Sequence, residues 1–197
     1  FIQEKVRINY LNTGFNNLEQ KVQELDKELA KQKIDTISDL QALMIVKERR
    51  DDVQKQIEQF NQERETKPLE ELYPLLAYAE ERFFSALSWM QFFSMDGKKF
   101  VMNEEQLKNS CLEKVSEAEE RYQYASIYLG EVSINYIQKK IDSARNVSQK
   151  EPELCLMGAA QAKAEADAIL SSMGVGIDNA EEFLAGKSKA VERVITE

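Results

Sequence analysis

Residues 68–95, PLEELYPLLAYAEERFFSALSWMQFFSM, constrain the fold more than any other part of the chain. Apolar residues recur along this segment at steps of three and four, which is the spacing of one face of an α-helix. A second apolar stripe runs beside the first, so well over half of the helix surface is apolar and has to be enclosed by neighbouring elements. The spacing therefore predicts a central helix over residues 68–95.

The remaining composition favours an all-α class. The chain of 197 residues contains only seven Gly and three Pro, too few turn residues for a protein built from many short strands. A chain of this length buries roughly 70% of its unfolded surface and needs no cross-link to form a core. We predict about seven helices, arranged as an antiparallel helical-hairpin bundle or a short repeat array around the helix at 68–95.

Three segments differ in their apolar patterns. Residues 1–33 show a narrow apolar seam, which predicts a long, amphipathic, coiled-coil-like helix. Residues 34–100 predict a helical hairpin that contains the central helix. Residues 101–197 predict a helical bundle that continues the same core, so that the chain can also be interpreted as one domain.

A short phrase is repeated along the chain. AEERF at residues 79–83 returns as AEERY at residues 118–122, and both copies are followed by a small residue, Ala86 or Ala125. Spacings near 40 residues are typical of stacked two-helix repeats. Each such hairpin cannot bury its own apolar face, so stacking would supply the core.

Charge and hydropathy limit the kinds of partner that the chain can have. The formal net charge of −9 argues against a nucleic-acid partner, since phosphate binding requires a basic surface. No window reaches the length of uninterrupted apolar sequence that a membrane span needs. The charge run at residues 47–52, KERRDD, is interpreted as a solvated helix face.

The chain has no His, which removes the usual bases and metal ligands of catalytic sites. We therefore expect no catalytic residue, no cofactor and no metal site. Adjacent carboxylates at Glu80 and Glu81, and at Glu119 and Glu120, point about 100° apart on a helix and are expected to serve solubility and ion pairing. Independent enzymatic activity is not expected of this chain.

Cys111 and Cys155 admit two interpretations. They are either two buried thiols in a reducing compartment or a single disulfide that joins two helices of an exported protein. Their spacing does not decide between these alternatives.

Aromatic residues of the central segment define a predicted partner surface. Tyr73, Tyr78, Trp89 and Phe93 would line it if the chain were a stand-alone helical-repeat adaptor that binds another protein. The competing prediction is that these residues are core, with Trp89 mostly buried.

Several phrases resemble the helical C-terminal region of archaeal Lon-like serine proteases. They are residues 36–42 (TISDLQA), 46–49 (VKER), 76–82 (LAYAEER), 86–89 (ALSW), 162–166 (AKAEA) and 168–175 (AILSSMGV). The likeness extends over residues 34–176, most of the chain.

The resemblance implies a non-catalytic accessory domain. Members of that family carry an upstream proteolytic domain with a Ser/Lys dyad, and no serine of this chain lies in the family's catalytic motif. The chain also begins at Phe1 without Met, so we expect it to be part of a longer polypeptide. The implied work is self-assembly or substrate presentation, and the implied partner is a second copy, the protease domain or a substrate protein. An extracytoplasmic or membrane-associated location is favoured over a cytoplasmic one.

Overall fold

The computed structural model describes residues 2–95, 97–99, 101, 103–129, 131–173, 175–176 and 179–196. Within these residues the chain forms seven α-helices and no strand, which confirms the predicted all-α class. The helices are α1 (Ile2–Leu29), α2 (Ile37–Glu63), α3 (Leu69–Met90), α4 (Glu104–Leu129), α5 (Glu131–Val147), α6 (Pro152–Ser172) and α7 (Ala180–Thr196).

The first three helices enclose one apolar cluster, which we call the first unit. The α1 seam predicted as coiled-coil-like faces this cluster through Leu11, Phe15, Leu18, Val22, Leu25 and Leu29. The rings of Phe15 and Phe60 stack with centroids 4.1 Å apart, so α1 and α2 meet through aromatic contact. Gly14 lets α1 approach α3 closely, because a Cβ atom there would lie 2.8 Å from Cδ2 of Leu76.

Helices α4, α5 and α6 enclose a separate cluster, the second unit. Its fully buried members include Cys111, Ala118, Ala125, Ile137, Ile141, Cys155, Ala159, Ala162 and Ala166. Small residues on α6 leave little side-chain bulk, so α4 and α5 pack closely against it.

Two cores replace the single core expected to continue through residues 101–197. The segment 1–33 is no separate unit either, since α1 packs against α2 and α3. Within the described residues α3 packs only against α1 and α2, so the helix predicted at 68–95 is central to the first unit and not to the whole chain. The reason is that α4 turns its apolar stripe toward α5 and α6.

The repeated phrase has equivalent inward faces in the two units. Ala79 and Ala118 are both fully buried, as are the small residues that follow them, Ala86 and Ala125. The phrase lies in the last helix of the first unit and in the first helix of the second, however. The copies therefore share a helix face but occupy different places in their three-helix units.

A buried carboxylate begins α2. Thr36 is the N-cap, its Oγ1 accepts the backbone N–H of Asp39 at 3.0 Å, and Asp39 Oδ2 accepts the N–H of Thr36 at 2.8 Å. Asp39 Oδ1 also accepts the N–H of Ser94 at 2.9 Å, which ties the end of α3 to the start of α2. Ser94 has a φ of 64°, in the left-handed region. An isolated antiparallel β-bridge between Thr36 and Lys99 extends this contact.

Asp39 should make the stability of the first unit dependent on pH. Burial alone would raise the pKa of Asp39, but hydrogen bonds from Ser94, Thr36 and Asp35 outweigh burial and lower the pKa below its usual 3.8. The stabilisation is complete above the unfolded pKa and is lost as the pH falls through the folded pKa.

Asp39→Asn should remove about 2 kcal/mol at pH 7, because an amide cannot accept all of these N–H groups through both of its polar atoms. Urea unfolding between pH 6 and pH 3, followed by the fluorescence of Trp89, measures this effect. The exposed Asp35→Asn is the matched control. An equal loss in both variants would contradict the assigned role of Asp39.

Candidate interaction surfaces

The charge run at residues 47–52 joins the two units and is not the solvated face predicted for it. Lys47 Nζ forms ion pairs with Glu151 at 3.1 Å and with Glu153, at the start of α6. Gln161 of α6 donates to Glu48 at 2.9 Å. These side chains are half-buried or buried, because α2 packs against α6 where the run lies.

The same charged residues also contact the other two helices of the first unit, α1 and α3. Asp52 accepts a hydrogen bond from Arg82 Nε of α3 at 2.8 Å, and Arg50 forms an ion pair with Asp26 of α1 at 3.2 Å. Helix periodicity shows that a charge leaves the apolar stripe, but it does not show which helix that charge meets. That information was absent from the local sequence.

Beside this junction lies a cleft of about 560 Å³ between the units, lined in part by Asp51, Tyr78, Arg82 and Lys140. Burial raises the pKa of Asp51, and the charge of Arg50 offsets this only in part. Burial alone would lower the pKa of Lys47, but its hydrogen bonds with Glu153 and Glu151 raise it. The cleft thus carries charges of both signs that the protein itself partly neutralises.

Cys111 of α4 and Cys155 of α6 form a disulfide, with both side chains fully buried and their Cα atoms 5.6 Å apart. Of the two interpretations left open above, the structure contains the bridge between helices. It lies within the second unit and links residues 44 positions apart in the chain.

The four aromatic residues predicted as a partner surface are dispersed. Phe93 is buried in the first core, and the half-buried Tyr73 and Trp89 pack against it. Tyr78 lines the inter-unit cleft, with its ring 5.7 Å from the Arg82 guanidinium carbon. Phe93 therefore cannot form part of an exposed surface, since its side chain fills the first core.

The adjacent carboxylates are surface groups. Glu80, Glu81 and Glu120 are exposed, and Glu119 forms an ion pair with Arg145. No three Cys, Asp or Glu side chains in the described part of the chain lie close enough to share a metal ion. None of the described helices has the length and apolar character required to cross a membrane.

An apolar groove of about 490 Å³ runs between α1 and α3, on the surface of the first unit. Leu25 and Phe83 form its buried floor. Phe84, which is 56% exposed, and Leu87, which is 40% exposed, form its α3 side. The apolar pattern predicts that this face of α3 is enclosed, but α3 is apolar over more of its surface than its two neighbours, α1 and α2, can cover.

The last helix, α7, has an unpartnered apolar face. Within the described residues it packs against no other helix, and Leu184 and Val191 are 66% and 59% exposed. Lys187 lies in the middle of this face, with Nζ 5.4 Å from the ring centroid of Phe183. Polar residues cover the opposite side, so α7 is amphipathic without the core contact that such a pattern normally serves.

A second exposed apolar patch lies at the end of α4. It comprises Tyr124, Ile127, Tyr128 and Leu129. Leu129 follows the buried Ala125 at a step of four residues, yet Leu129 is exposed as well. The last turn of α4 extends beyond the helices that cover its apolar stripe.

Comparison with protein-family models, with curated proteins and with solved structures finds no match to this chain. The resemblance to the helical region of Lon-like proteases therefore stays a prediction from the sequence.

Proposed function

We propose that this chain is a non-catalytic helical accessory domain of an archaeal Lon-like protease, acting in self-assembly or substrate presentation. The observation that carries the proposal is the exposed apolar face of α7, which packs against no other helix in the described chain. Amphipathic helices of this kind bind by laying the apolar face into a hydrophobic groove. The ion pairs of Lys47 join α2 to the start of α6, and the disulfide joins α4 to α6. The helices that precede α7 are therefore held together.

The disulfide supports an oxidising location. Disulfides persist in extracytoplasmic compartments and are rare in the reducing cytosol. This agrees with the exported or membrane-associated parent that the resemblance implies. The intact mass of the native polypeptide, with peptide mapping upstream of Phe1, tests that parentage. A native chain that begins near Phe1 would contradict the accessory-domain proposal.

The interaction function is tested through the apolar face of α7. Two activities of the unchanged chain are measured: self-association, by sedimentation velocity, and binding of a reduced and alkylated, permanently unfolded polypeptide. Leu184→Asp should abolish whichever of these activities the unchanged chain shows. Ala185→Asp is the matched control, because it adds the same charge on the side of α7 opposite the apolar face. If the unchanged chain shows neither activity, or if Leu184→Asp has no effect on either, the proposed function is wrong.

The alternative is a stand-alone adaptor for another protein. The exposed patch at the end of α4 favours it, because Ile127 and Tyr128 present apolar surface away from both cores. Monomeric soluble proteins rarely leave large contiguous apolar patches uncovered. Ile127→Asp would weaken binding of such a partner while Leu184→Asp would leave it unchanged, which separates the two proposals.

A further inference from the structure

We propose that α7 of one copy of the chain docks into the groove between α1 and α3 of a second copy. The inference rests on the proposed assembly function and names the surface that performs it. Two chains would exchange their last helices and form a two-fold dimer. Every copy carries both the helix and the groove, so one symmetric contact creates two equal interfaces.

The helix requires an apolar groove with a negative rim. Successive residues of α7 are about 100° apart, which puts Phe183, Leu184 and Val191 on one stripe with Lys187 in its middle. Burying this stripe also brings the ammonium group of Lys187 to the interface. An ammonium group loses its hydration there, and this costs free energy unless a carboxylate compensates for the lost water.

Pairing of α7 with α7 does not meet this requirement. Lys187 lies near the midpoint of α7 (Ala180–Thr196). Either a parallel or an antiparallel pair would therefore bring two Lys187 side chains together, and like charges across an interface oppose association. The partner surface has to be a different one.

The groove on the first unit supplies what α7 lacks. Its floor and α3 side are apolar, through Leu25, Phe84 and Leu87. Its α1 edge carries Lys21, Glu24 and Glu28. Lys21 Nζ lies 5.9 Å from the ring centroid of Phe83, and Glu28 already forms an ion pair with Lys31. Glu24 therefore presents a carboxylate beside an apolar floor, which complements a cationic group set in an apolar stripe.

A second copy is the occupant because α7 belongs to the other unit in its own chain. It follows α6, which packs on α4 and α5 and is fixed to α4 by the ion pair of Arg121 with Asp167 at 3.0 Å. Within one chain, α7 lies against neither α1 nor α3. The groove and the helix therefore both remain available for a second molecule.

Sedimentation of the full chain over a range of concentrations tests the dimer. Leu184→Asp on α7 and Leu87→Lys in the groove should each weaken dimerisation at least roughly 30-fold, because the first places a carboxylate against Glu24 and the second places a cation against Lys187. Ala185→Asp, on the opposite side of α7, should leave dimerisation unchanged. Trp89 fluorescence shows that each variant retains its first unit.

A charge exchange identifies the two surfaces as partners. Lys187→Glu alone, and Glu24→Lys with Glu28→Lys alone, should each weaken dimerisation roughly 10-fold. An equimolar mixture of these two variants should recover association, because both interfaces of the mixed dimer again pair opposite charges.

Three outcomes would overturn the inference. If association responds to Leu184→Asp but not to Leu87→Lys, α7 uses another surface, and only the proposed function survives. If the unchanged chain is monomeric while the backbone amides of α7 and of the groove are protected from hydrogen exchange, the helix closes on its own groove. If the chain is monomeric, α7 exchanges freely and no unfolded polypeptide binds, the proposed function fails as well.

Discussion

Removing the disulfide between Cys111 and Cys155 should lower the free energy of unfolding of the second unit by about 4 kcal/mol. The bridge links residues 44 positions apart, so it restricts the unfolded chain strongly, and it joins α4 to α6 across a small core rich in alanine. The variant to use is Cys111→Ala with Cys155→Ala, which leaves no buried thiol.

Chemical denaturation separates this effect from damage to the first unit. The single Trp of the chain, Trp89, packs against the first core and reports on that unit alone, while far-UV circular dichroism follows both. We expect the dichroism transition of the variant to shift and the Trp89 transition to stay in place. A loss of unfolding free energy below about 1 kcal/mol in the variant would contradict the bridge. Free thiols in the unchanged chain, denatured without reduction, would contradict it as well.

Phe60→Ala should destabilise the first unit by about 3–5 kcal/mol. Phe60 is 1% exposed and stacks on Phe15, so truncation leaves a cavity between α1 and α2 that the surrounding backbone cannot fill. The Trp89 transition should move to lower denaturant concentration.

Phe84→Ala is the matched control for this cavity. Phe84 is the same residue type on α3 but is more than half exposed, so its truncation should cost less than about 1 kcal/mol. Equal losses for Phe60→Ala and Phe84→Ala would mean that the Phe15–Phe60 contact does not organise the first core.

Local sequence was sufficient for the helices and for most of their inward faces. The apolar seam of α1 is buried from Leu11 to Leu29, and Leu72, Leu76, Ala79, Phe83 and Ala86 of α3 face the core as their spacing predicts. The N-terminal caps are equally local, since Thr36 and Asp39 satisfy each other within one turn. These features depend on residues only three or four positions apart.

The candidate site was less accessible from sequence. Tyr73, Tyr78, Trp89 and Phe93 share a segment, yet Phe93 points into the core and Tyr78 into the inter-unit cleft. Conversely, the groove of Phe84 and Leu87 reads in sequence as more core, because apolar residues have the same pattern whether or not a neighbour covers them. An exposed apolar face becomes visible only when the neighbours have been placed.

The sequence by itself therefore determined the all-α class, the seven helices and the side of each helix that favours burial. Only the tertiary structure decided that the helices divide into two cores, that the charged run of α2 is a junction, and that α7 is left without a helix partner. The physical reason is the range of the interactions. Periodicity and capping act within a turn or two, whereas Lys47 and Glu153 meet across 106 positions, and such a contact depends on how every intervening helix packs.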